Sequence, residues 1–193
     1  MKTRTKALMA LACAVILVMA TVCATVAYLQ STSAVTNTFT AGQVTITIDE
    51  AKVDEYGVAE AGAERVVANT YKLIPGHSYT KDPTIHVDEN SEKCWLFVKV
   101  ENEITAIEAA GDTSIAAQMA EGGWTPVAGE TDVYAYVSVV SAGEDIKVFD
   151  SFEIVEDAAV DGYTEAQIKV TGYAVQADGF TSAEAAWTAA FGA

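Results

Sequence analysis

The chain has 193 residues, 51% of them apolar, enough to bury the core of one domain and too few for two large ones. Its 11 Lys and Arg against 27 Asp and Glu leave a net charge of −16. So acidic a surface has too few cations to replace the counterions around a nucleic acid, or to settle on anionic lipid.

The charge is unevenly placed. Lys2, Arg4 and Lys6 are the only charges before Asp49, and Ala7 to Thr21 is almost wholly apolar. A basic start, an apolar run and small residues at Thr25-Val26-Ala27 are the order of a secretory signal peptide, so residues 1–27 read as a leader cut between Ala27 and Tyr28. On that reading the chain meets a membrane only before cleavage and is secreted. An uncleaved signal anchor is the alternative, because Ala7 to Leu29 is uncharged and long enough to span a bilayer. Cys13 and Cys23 leave with the leader, and Cys94 alone cannot form an intramolecular disulfide. The exported domain is therefore held by its core, with Cys94 as a small buried hydrophobe.

Residues 28–40 (YLQSTSAVTNTFT) are uncharged, β-prone and free of glycine, and a segment of that kind needs a partner sheet. Residues 41–193 then read as a β-sandwich domain. Val44, Ile46 and Ile48 alternate with polar residues as in a half-buried strand. The residues at 51–64 look like a polar, mobile insertion. Arg65 to Ile74 again alternates, with Val67, Tyr71 and Leu73 on one face, and Cys94 to Val100 sets Cys94, Leu96, Val98 and Val100 opposite Trp95, Phe97 and Lys99. Val133 to Val140, Ile146 to Val155 and Gln167 to Gln176 complete the set, rich in β-branched and aromatic residues. Turn-like separators, among them Pro75-Gly76 and Asp161-Gly162, divide these runs. Two short helices break the pattern. Asp112 to Ala120 carries Asp112 or Thr113 as N-cap, and a C-terminal helix has Thr181 and Glu184 at capping-box spacing with Trp187 and Phe191 one turn apart.

No catalytic signature is present: HExxH, GxSxG, a P-loop and CxxC are all absent. His77 and His86 are the only histidines, and a zinc reading joins them to a carboxylate such as Asp82 or Asp88. The opposing reading makes them turn and strand residues, since a gap of nine positions containing Pro83 does not make a ready chelate. Asp88-Glu89-Asn90-Ser91-Glu92 is the densest oxygen cluster and the best calcium candidate, but it lacks the glycine and the length of an EF-hand loop. Trp95 with Phe97, Tyr134 with Tyr136, and Trp124 suit either a carbohydrate platform or cross-strand core contacts.

The basic leader running into Ala27-Tyr28, followed by Val35-Thr36-Asn37-Thr38-Phe39-Thr40-Ala41-Gly42, resembles exported proteins whose leaders are cut by the SipW-type signal peptidase, the family of TasA and camelysin. Leu73-Ile74-Pro75-Gly76, the run Cys94 to Val100 behind Asp88 to Ser91, and Tyr173 to Phe180 extend the likeness. The resemblance implies an all-β, jelly-roll-like antiparallel β-sandwich exported from a Gram-positive cell to its surface or matrix. It further implies self-association into biofilm fibres by donor-strand complementation, in which residues 28–40 add to the next subunit with Leu29, Val35 and Phe39 filling pockets. A SipW-type peptidase and a matrix or surface anchoring protein would be its other partners. Camelysin-like relatives imply a metallopeptidase instead, although no HExxH carries that over. A monomeric adhesin or ligand-binding module is the third reading.

Overall fold

A computed structural model describes residues 42–192 together with Thr3, Lys6, Met9, Leu11 and Cys13–Ile16, positions that are helical. The chain divides into two compact units, Met1–Thr40 and Ala41–Ala193. The second unit contains nine strands: β1 Ile46–Asp49, β2 Ser78–Thr80, β3 Thr84–Val87, β4 Cys94–Asn102, β5 Trp124–Pro126, β6 Val133–Tyr136, β7 Asp145–Lys147, β8 Ser151–Glu153 and β9 Ile168–Gln176. Its helices are α1 Ile115–Glu121 and α2 Ala183–Phe191, with a 3₁₀ turn at Val160–Tyr163.

β4 is the organising strand because both of its faces find cover. Cys94, Leu96, Val98 and Val100 are buried in the main core, while Phe97 on the opposite face is buried under α2 with Trp187. It lies between β6 and β9 in an antiparallel sheet of order β5-β6-β4-β9. Facing it are the sheet β1-β3-β7 and the pair β2-β8. These two run into each other around a corner, where Val148 donates to the Pro83 carbonyl and Lys81 to that of Asp150. The corner splits the expected Ile146 to Val155 strand into β7 and β8. Val148 and Phe149 are consecutive and both buried, which no straight strand with one covered face allows. Tyr79 and Phe152 stack at 4.9 Å in the core, and Trp124 Nε1 donates to the Lys147 carbonyl at 3.1 Å. The all-β antiparallel sandwich with a C-terminal helix is thus the architecture observed.

Both helices begin one or two residues from the expected caps. Ser114, rather than Asp112 or Thr113, accepts the Ala117 amide, and Ser182, rather than Thr181, accepts that of Ala185. In each case an extended serine directly precedes the first helical residue, and its short side chain reaches the exposed amides of the first turn. Residues 51–64 are tied down as a tight hairpin. Val53 bridges Ala59, and Asp54 accepts the amides of Tyr56 and Val58. Gly57, at φ +77°, brings its backbone so close to Tyr79 that a Cβ there would lie 2.8 Å from Tyr79 Cα.

The Arg65 to Ile74 run forms no strand. Its one bridge joins Val66 to Glu50, and beyond it Val67 points into solvent at 88% exposure. Asn69 takes the place of a ladder partner. Its side chain donates to Glu50 at 2.9 Å and to the Ala51 carbonyl at 2.8 Å, and accepts the Val53 amide at 3.0 Å. Tyr71 and Leu73 still pack on the core as the alternation predicts, so this segment is an extended strap.

Candidate functional site

β9 ends its sheet, and nothing among the described residues pairs with its far side. Glu103 donates to the Gln167 carbonyl and Ala177 to that of Lys93, which fixes the parity of the β4–β9 ladder. By the alternation of antiparallel pairing, Ile168, Val170, Gly172, Ala174 and Gln176 turn their backbone N–H and C=O groups away from β4. The side chains of Ile168, Val170 and Ala174 face the core. Among the described residues this edge is therefore a row of unpaired donors and acceptors, long enough to accept another strand.

Beside the first residues of β9 lies a groove of about 930 Å³. β1 from Ile48, the strap from Val67 to Leu73 and the Val160–Gln167 loop form its walls, with Ile104 and Phe152 among its lining. A buried network shapes the strap side. Glu50, 4% exposed, pairs with Lys81 and accepts from Asn69, and Lys81 Nζ sits 5.9 Å from the Tyr71 ring. Tyr71 donates to the Thr80 carbonyl at 3.1 Å; burial first, then the Glu50 charge, pushes its phenol well above the ordinary value. The Tyr79 hydroxyl closes the strap, donating to the Lys72 carbonyl at 2.6 Å and accepting the Ile74 amide at 2.7 Å.

Gly42, the first described residue of this unit, lies at the other end of the same edge. A Cβ on Gly42 would meet the Gln176 side chain at 3.2 Å, whereas the groove lies against Ile168–Val170. Six to eight residues of strand separate the two, about 20–27 Å. Gly42 thus lies at one end of β9 and the groove opens at the other.

Leu29, Val35 and Phe39, and the cleavage pair Ala27 and Tyr28, lie outside the described residues. The four metal candidates are not brought together. His77 Nε2 meets the Tyr56 carbonyl at 2.8 Å, Asp82 holds Arg65 and the Ala51 amide, and Asp88 folds back on Asn90. His86 lies between Asp49 and Asp145. Among the described residues no group of three or more His, Cys, Asp or Glu side chains is placed to hold a metal ion. The Asp88 to Glu92 oxygens serve a turn, with Ser91 Oγ accepting the Thr45 amide at 3.0 Å. Trp124 is a core residue at 1% exposure and lies against Tyr136, which decides between platform and core contact there. Cys94 is fully buried, and burial, then the Glu144 charge, pushes its thiol up to about 11.

Sequence reasoning passed over Arg65, Asn69 and the Glu50–Lys81 pair, which shape the strap. Arg65 was the readable signal, being one of 11 cations in an acidic chain at the start of an alternating run. Set beside known proteins, the chain matches no family model, no curated protein and no solved structure.

Proposed function

We propose that this chain is an exported structural subunit that polymerises at the cell surface or in the extracellular matrix, residues 28–40 of one copy adding as a strand to the open β9 edge of the next. The observation that supports this reading is a strand edge and groove that no described residue pairs with or fills, together with Gly42, the residue that follows the proposed donor segment by two positions, at the opposite end of that edge. Backbone hydrogen bonds supply affinity in such an addition, and side chains entering the groove supply register. Each added copy offers a new edge, so the contact does not close on itself and a filament results. The leader keeps the donor end blocked until export, when a SipW-type peptidase exposes Tyr28. Subunits of this charge repel one another, so salt, acid or divalent cations favour growth.

Negative-stain electron microscopy of protein beginning at Tyr28, with and without salt, tests this directly. Regular filaments that vanish when the chain begins at Ala41 are the expected result, and Phe39→Asp weakens them while leaving the monomer's melting curve unchanged. Ala174→Pro removes one outward amide from β9 and gives a folded monomer that does not extend. A persistent monomer under all salt conditions overturns the proposal and moves attention to the adhesin reading.

A further inference from the structure

The sheet β1-β3-β7 carries a line of charge that strand addition does not use. His86 in β3 pairs across to Thr47 on β1 and Asp145 on β7. Its Nδ1 lies 2.7 Å from Asp145 Oδ1, and its Nε2 lies 2.9 Å from Asp49 Oδ1. A neutral imidazole has one N–H and one lone pair, so between two carboxylate oxygens it satisfies one and repels the other; imidazolium donates to both. Asp49 Oδ1 also receives Arg65 Nε, and Arg65 extends to Asp82 Oδ2, the Asp82 carbonyl and Thr84 Oγ1, each at 3.0 Å. The charged groups facing His86 are thus Asp49 from β1 and Asp145 from β7, with Arg65 and Asp82 one step beyond. Lys147 on β7 is turned to Asp150, and Glu50 and Lys81 are paired with each other.

We infer that His86 is a proton-operated brace: as imidazolium it ties β7 to β1 across β3 and fixes the Asp49 carboxylate on which Arg65 rests, and loss of its proton loosens the strap that forms one wall of the groove. Burial opposes charge on this ring, yet the hydrogen bonds and charges of Asp49 and Asp145 outweigh it and raise the His86 pKa. Burial also opposes ionisation of Asp49, and there the hydrogen bonds and charges of Arg65 and His86 prevail, lowering its pKa. The two signs define a window. The His86 contribution is fully present below the ordinary histidine value and is lost as pH rises through the raised one. The Asp49 contribution is present above the ordinary carboxylate value and is lost as pH falls through the lowered one.

The amide of Val66, donating to the Glu50 carbonyl at 2.8 Å, reports on the strap. Ring NMR of the purified chain against pH, with hydrogen exchange at Val66 corrected for intrinsic rates, tests the brace. His86 is expected to titrate above the ordinary histidine value of about 6.5, with Val66 protection falling several-fold through the same pH. His86→Gln removes that step, and Asp145→Asn moves it to lower pH. A ring that titrates at or below 6.5, or Val66 protection flat across the titration in a folded protein, overturns the inference. Neither readout needs filaments, so the result is independent of assembly.

Discussion

β4 and the strap at residues 65–74 begin from the same kind of sequence, alternating apolar and polar residues, and end in different states. β4 becomes a nine-residue strand paired on both sides. The strap keeps one bridge and one further backbone hydrogen bond to another segment, from the Lys72 amide to the Glu55 carbonyl, and its remaining ties are made by side chains. Alternation reports which residues share a face: Leu96 and Val98 reach the core, as do Tyr71 and Leu73, whereas Val67, expected on the face of Tyr71 and Leu73, is exposed. Edges are a separate matter. A strand needs neighbours within about 5 Å on its hydrogen-bonding sides, and those come from parts of the chain distant in sequence.

Substitutions sharpen the contrast. Leu96→Ala, at a fully buried position of β4, is expected to cost about 3–4 kcal/mol in chemical denaturation, since it removes a large side chain and leaves a cavity between two sheets. Gly57→Ala follows at about 2 kcal/mol, because the new Cβ meets the Tyr79 backbone at 2.8 Å and the residue sits at φ +77°. An unchanged melt for Gly57→Ala would mean that the hairpin lifts off Tyr79 freely and does not secure the strap.

How much of this was legible follows the same division. Periodicity located the strands at Ile46–Asp49, Cys94–Asn102 and Ile168–Gln176, and the i, i+4 pair Trp187 and Phe191, whose rings lie 4.4 Å apart, marked the C-terminal helix. The corner at Val148–Asp150 was not legible, because it depends on Pro83 and Lys81 in another segment. The open edge of β9 was not legible either, since being last in a sheet is a property of strand order. Arg65 lay in plain view, but its partners Asp49, Asp82 and Thr84 come together only when β1 and β3 pair. Residues 51–64 looked mobile because their polar side chains suggest solvent, whereas Asp54 uses its carboxylate to close the hairpin.

Arg65→Ala is the intermediate case. It removes the side-chain contacts that fix the start of the strap while leaving the apolar packing of Tyr71 and Leu73, so a loss of about 1–2 kcal/mol is expected. Hydrogen exchange should rise at Val66 and stay unchanged in the middle of β4. Equal acceleration in both would show that the strap and the sandwich unfold together.

The smallest stability effect is expected at the most exposed strap residue, and it separates fold from function most cleanly. Val67 is 88% exposed and lines the groove beside β9. Val67→Asp should change monomer stability by no more than about 0.5 kcal/mol, as for other surface positions away from caps and cores. In β4 a charge at Val98 would abolish folding, because that side chain has no exposure at all. At Val67 the cost falls on association: a carboxylate at the groove rim repels an already acidic incoming subunit and removes an apolar contact, so filaments should form more slowly and require more salt. If Val67→Asp instead destabilises the monomer as a core change does, the strap is paired in solution and the groove is closed before any strand arrives.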